Sequence, residues 1–163
     1  MAEFASCLTS IGCMEPKTVL QSGNAVVDVP TPLSLNASQI HDALLDQTGV
    51  DADVFVRTAA EWQALVDANP FVREAETQPS MLVAMVVRET PSTADVARLR
   101  ASISGPERLE TGDRVLYISY PDGQGRSKLT GTAIERALST RGTARNWNTV
   151  MKLLTLVTAA PAS

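Results

Sequence analysis

At 163 residues, with 44% hydrophobic and 20% charged residues, the chain can bury a core, which excludes compositional disorder and suits one compact domain or two small fused lobes. No apolar run is long enough to span a bilayer and no signal peptide or low-complexity tract is present, so the expected class is a soluble cytoplasmic protein without a membrane partner. The net charge of −4 conceals an asymmetry: residues 1–122 hold 8 Lys and Arg against 17 Asp and Glu, a balance of −9, whereas residues 123–163 hold 6 against 1, a balance of +5. A basic C-terminal surface on an acidic body could attract an anion, and an uneven linear distribution on a solvated surface is the plainer reading.

In chain order, Glu3 to Ile11 reads as a helix with Phe4, Leu8 and Ile11 on one side and Gly12 as its stop. Cys7 lies on its face and Cys13 follows its end, in no metal or redox spacing. Thr18 to Asp28 is strand-like, and Gly23 within Gln21-Ser22-Gly23-Asn24 signals a bulge, a turn or a close backbone approach. After a proline-rich loop, Asn36 and Gln39 have the spacing of a capping box for a helix that Gly49 ends. Asp53 to Arg57 is read as a short strand. Thr58 and Glu61 form a second capping box, for a helix that stops near Asn69-Pro70.

The polar stretch Arg73 to Ser80 is taken as the link between two halves, residues 1–76 and 77–163. Met81 to Val87 is continuously apolar and of strand length, the pattern of a central strand covered on both faces. Thr93 to Ile103 is helical, and Glu107 to Tyr120 reads as a hairpin turning at Gly112-Asp113. Pro121 to Lys128 is a glycine-rich loop in which Ser127 could cap a helix burying Ala133, Ile134, Ala137 and Leu138. A last helix begins at Asn146, its cap, with Trp147, Val150, Met151, Leu154 and Val157 on one apolar face. The order of elements fits an α+β fold of two ferredoxin-like sandwich halves, with no sequence repeat between them.

The densest polar signature lies in the run from Gly142 to Leu154. Arg145, Asn148 and Lys152 crowd the start of a helix, where the backbone already favours an anion. Gly123 and Gly125 precede Arg126, Ser127 and Lys128, a spacing that is neither a Walker A loop nor a dinucleotide fingerprint, so no cofactor is expected. The competing reading is a tight strand-to-helix turn. Trp147 is a core residue on one reading and a stacking platform on the other, and Asn146 and Asn148 either cap and bridge or face a ligand. His41, the single histidine, pairs with no serine or cysteine motif, and the scattered carboxylates have no metal-ligand spacing.

Gln21-Ser22-Gly23-Asn24, Asn69-Pro70-Phe71, Gly125-Arg126-Ser127-Lys128 and the run Thr143 to Thr149 with Lys152, in this order, resemble the bacterial domain-of-unknown-function 1697 family from about Met1 to Leu156. The resemblance implies two ferredoxin-like halves in a cytoplasmic bacterial protein, and no activity. It also expects a β-strand and an Arg-Gly-Ile-Asn-like segment before the first helix. This chain opens at the helix, so the first half is expected to lack a strand, through a downstream start or as a shortened paralogue.

Gln21, Ser22, Asn24, Arg126, Ser127, Lys128, Arg145, Asn146, Asn148 and Lys152 are therefore the candidate ligand-binding residues. Three functions compete. One is a module binding a phosphorylated small molecule or other anion, with nucleic acid a weaker possibility. Another is an enzyme on a phosphorylated substrate, which lacks an obvious general base. The third is a structural or interaction protein whose motifs lock the fold.

Overall fold

The computed structural model describes residues 1–19, 23–30 and 35–159. The chain forms two compact units, Met1–Val56 with Leu156–Ser163, and Arg57–Thr155. Both combine helices with antiparallel sheet, an α+β fold.

In the first unit, helix α1 (Ala2–Ser10) leads to strands β1 (Met14–Val19) and β2 (Asn24–Asp28), and helix α2 spans Ala37–Thr48. The segment expected as one strand is thus a hairpin, whose first arm starts earlier than its apolar residues suggest. That start is irregular: the register shifts between Met14 and Lys17, Glu15 takes φ 45°, and Pro16 follows. Such a bulge accommodates a proline in a two-stranded sheet. Among the described residues the sheet holds these two strands.

Helix α1 ends in a Schellman motif. Gly12 at φ 96° donates its amide to Thr9 and Cys13 donates to Leu8 at 3.0 Å. Leu8, Cys13 and Ile40 form the core here, packed by Phe4, Val27 and Leu44 among others. Both free thiols are buried, and burial pushes their pKa up, the profile of inert core cysteines. The Asn36–Gln39 capping box is present in both directions, and Gly49 closes α2 at φ 72°. The segment from Asp53 to Arg57, expected as a strand, is irregular and belongs to neither sheet among the described residues.

The second unit contains α3 (Ala59–Asp67), α4 (Val72–Thr77), β3 (Leu82–Val87), α5 (Thr93–Ser102), β4 (Arg108–Gly112), β5 (Val115–Ser119), α6 (Gly131–Leu138), β6 (Gly142–Asn146) and the start of α7 (Trp147–Thr158). From β3 to β6 the order is β-α-β-β-α-β, and the strands lie in the order β4-β5-β3-β6, all antiparallel. This is the split βαβ arrangement. Every residue of β3 is buried, because it is central and covered on both faces. Val83, Met85 and Val87 point with Leu116 and Ile118 towards Val96 and Leu99 of α5 and Ile134 and Leu138 of α6.

Tyr117, on the opposite face, donates its hydroxyl to the Leu65 carbonyl of α3 and meets the ring of Trp147. Trp62 Nε1 donates to the Val150 carbonyl at 3.1 Å, joining α3 to α7 on that face. These contacts lie within the second compact unit, which begins at Arg57. The polar stretch expected as the link instead forms α4 and a 3₁₀ turn, Pro79–Met81.

Two further departures bear on the site. Gly142–Asn146 is an edge strand, β6, where only a helix approach was expected. The cap of α6 is Thr130, whose side chain accepts from the Ala133 amide, and not Ser127. Arg126 and Lys128 therefore precede the helix instead of opening it. Of the side expected to be buried, Ile134 and Leu138 are buried and Ala137 is exposed. In α7 the buried face is Trp147, Val150 and Leu153 with Thr149, and Met151 is exposed.

Candidate functional site

The sheet brings two of the sequence motifs to one end. Leu82 pairs with Ser119 and the next residue, Val83, pairs with Asn146. The end of β5 and the end of β6 therefore flank the start of β3, about 10 Å apart across two strand spacings. Beyond Ser119, Tyr120 donates its amide to Met81 at 2.8 Å and Gly123 donates to Tyr120 at 2.9 Å, which folds the glycine loop back over that end. Beyond Asn146, α7 begins.

At this end Arg126, Lys128, Asn148 and Lys152 are exposed. None of the four has a side-chain hydrogen bond or ion pair among the described residues. The first-turn amides of α7 lack intrahelical partners by construction, and Asn146 Oδ1 takes only that of Thr149, at 3.1 Å. The expected cap is therefore present. The two segments that leave this end thus carry three exposed cations and a helix start, with Asp122 the exposed carboxylate of the glycine loop.

The other motif residues have internal partners. Ser127 Oγ donates to Glu107 Oε1 at 2.6 Å and accepts from the Leu129 amide at 3.0 Å, pinning the loop to the residue before β4. This bond is the main reason that the Glu107 carboxyl lies below its ordinary range. Tyr120 donates to the Leu129 carbonyl at 2.8 Å, so the loop is tied twice. Asn69, buried, closes a turn on Phe71, accepting from its amide at 3.0 Å and donating to its carbonyl at 3.3 Å. In the first unit Asn24 Nδ2 donates to the Val19 carbonyl at 3.2 Å, bridging the β1–β2 turn. Gln21 and Ser22 lie outside the described residues.

Arg145 was expected at the helix start with the cations, and the strand moves it. It pairs with Ala84, which pairs in turn with Tyr117, so all three side chains share the face covered by α3 and α7. Its Nη1 donates to Thr143 Oγ1 at 2.7 Å and to the Ala144 carbonyl at 2.8 Å. Burial lowers its pKa, the sign of a guanidinium partly removed from water. Trp147 is 4% exposed, a core residue and no stacking platform. His41 bridges Asp51 at 2.9 Å and Asp42 at 3.2 Å in the first unit. Among the described residues no group of three or more His, Cys, Asp or Glu is placed to hold a metal ion.

A cluster that sequence reasoning missed lies at the other end of the sheet. Arg57 donates to the Val87 carbonyl at 3.1 Å, and Arg114 reaches Glu61 at 3.1 Å. Arg88 donates its amide to the Arg141 carbonyl at 2.9 Å. These arginines come from four separate segments: the pairing of β3 with β5 and β6 collects three of them, and Arg57 joins through its bond to Val87.

Residues 1–117 match the family model described as Protein of unknown function (DUF1697). The chain belongs to this family. The DUF1697 match ends at the middle of β5, so the run from Thr143 to Lys152 lies beyond it. A solved structure, that of the conserved bacterial protein SP0830 from Streptococcus pneumoniae, is similar in fold, with a TM-score of 0.64 and 15% identity over 96% of this chain and 88% of that one. At that identity the likeness speaks of the fold alone. No curated protein matches this DUF1697 chain. No helix among the described residues is long and apolar enough to cross a membrane.

Proposed function

We propose that the second unit is a ferredoxin-like module that binds an anionic, phosphate-bearing small molecule in the cytoplasm, at the sheet end where β5 and β6 finish. The observation that carries this reading is the exposure of Arg126 and Lys128, without carboxylate partners among the described residues, on a loop held rigid by Ser127 and Tyr120. Lys152 and Asn148 on the first two turns of α7 would complete the donor set, with the helix start favouring negative charge. A chain of net charge −4 makes a long polyanion such as nucleic acid the poorer partner.

The motif residues divide between two jobs on this reading. Asn24, Ser127, Arg145 and Asn146 hold backbone in place, which favours the fold-locking role for them. Catalysis is the weaker alternative. The carboxylate beside the patch, Glu107, already accepts from Ser127 and is held ionised, which makes it a poor base towards a hydroxyl.

Thermal melts with phosphate or polyphosphate against chloride at equal ionic strength test the proposal. A ligand confined to the folded state stabilises it by about 2.7 kcal/mol at a hundredfold excess over Kd. Arg126→Ala and Lys128→Ala should each shrink the specific shift. Equal responses to phosphate and chloride, or full responses from both variants, would leave the patch a solvated surface.

A further inference from the structure

We infer that the cavity at the opposite end of the second unit's sheet is a binding site for a small zwitterion of the α-amino-acid type. The cavity, about 390 Å³, is formed by the residues that follow β3, the last turns of α6 and the turn into β6. Its volume lies at the low end of the range for small-molecule sites.

The argument turns on which charges in it are already spent. Glu135 accepts from the Gly142 amide at 3.1 Å through Oε1 and faces Arg141 Nη1 at 3.6 Å through Oε2. That pair builds the wall and is largely neutral. Glu89 and Arg136 line the same cavity, are exposed, and have no side-chain hydrogen bond or ion pair among the described residues. Glu89 and Arg136, one carboxylate and one guanidinium, are thus left to face a ligand, beside Arg88, which has a partner of its own.

The helix end sharpens the choice. Ser139 takes φ 51°, and both its amide and that of Thr140 turn back to the Glu135 carbonyl. The carbonyls of Arg136, Ala137 and Leu138 follow it at the end of α6, where the helix carries negative partial charge. A simple anion would meet that end and Glu89. A simple cation would meet Arg136, with Arg88 beside it. A molecule with an ammonium and a carboxylate a few bonds apart suits both halves, its ammonium towards Glu89 and the helix end and its carboxylate towards Arg136. The hydroxyls of Thr132 and Ser139 also line the cavity. This inference does not depend on the phosphate site, which lies at the other end of the strands.

The test is a titration of the isotopically labelled full chain, followed by backbone amide shifts. The probes are L-alanine, L-serine, L-glutamine, L-glutamate and L-lysine, with acetate and ethylammonium as single-charge controls at equal ionic strength. At least one amino acid should move the amides of Glu89, Arg136 and Ser139 saturably, with Kd on the order of 1 mM or tighter, and the two controls should not. Glu89→Gln and Arg136→Gln should each weaken that binding about tenfold with the melting temperature unchanged, as both side chains are exposed. The inference is overturned if no amino acid saturates, if acetate or ethylammonium alone binds as well, or if both variants bind like wild type.

Discussion

The rings of Tyr117 and Trp147 meet with centroids 6.5 Å apart and planes tilted by 51°. The first stands on a central strand and the second opens the last helix, so this contact seats α7 on the sheet. Beyond it, the Tyr117 hydroxyl reaches the Leu65 carbonyl, so strand, first covering helix and last helix are held at one point.

Trp147→Ala should therefore cost about 3–5 kcal/mol, the usual range for truncating a buried tryptophan. The ring is 4% exposed, and its removal opens a cavity against a tyrosine whose hydroxyl is already anchored. Chemical denaturation measures the loss. Trp147→Phe should lose less, because a ring still faces Tyr117. A loss below about 1 kcal/mol for the alanine variant would mean that the seat of α7 lies elsewhere.

Alkaline pH should undo the same region. Tyr117 and Tyr120 are the chain's two tyrosines, and both pKa values are pushed up to about 12. Burial is the main cause in each, with the Glu107 charge adding to it for Tyr120. The folded state thus holds on to protons that the unfolded chain releases near pH 10. The stability that this contributes is complete below about pH 10 and is lost as pH rises towards 12. Tyrosinate absorbance should accordingly stay flat past pH 10 in the native protein and rise together with loss of structure. A smooth rise centred near 10 in the folded protein would contradict the buried placement.

What the sequence could and could not reveal follows from where the information sits. The capping boxes at Asn36 and Thr58 and the apolar run of β3 are local signals, and each is where it was expected. Strand β6 was not legible. It has five residues, one of them apolar, and its half-buried pattern lacks alternation. Pairing with β3 makes it a strand. The residual sign is Gly142, where a Cβ would come within 2.5 Å of Met85 Cε and 3.0 Å of the Val86 carbonyl. The same blind spot displaced the site. Reading Gly142 to Asn146 as a helix approach put Arg145 among the cations, and reading Ser127 as a cap hid its bond to Glu107, 20 residues away in sequence. The arginines near the end of β3 were invisible for the related reason that they converge only through the sheet.

Arg145 offers the sharpest separation between locking the fold and binding a ligand. Its guanidinium is partly withdrawn from water and spends two hydrogen bonds on its own strand, at Thr143 and Ala144. Its neighbours across the pleat are Ala84 and Tyr117. Arg145→Ala should thus destabilise the protein by about 1–3 kcal/mol, through lost bonds and lost packing of the side-chain stem. Arg145→Lys should recover little, because the lysine ammonium ends one atom short of the Nη1 that reaches both oxygens. Any phosphate-specific rise in melting temperature should persist in both variants, measured from their lower baselines. Lys128→Ala should show the reverse: an unchanged baseline, since the residue is exposed, and a smaller rise. If Arg145→Ala instead keeps wild-type stability and loses the phosphate response, the guanidinium reaches a ligand, and its bond to Thr143 is a resting position that binding breaks.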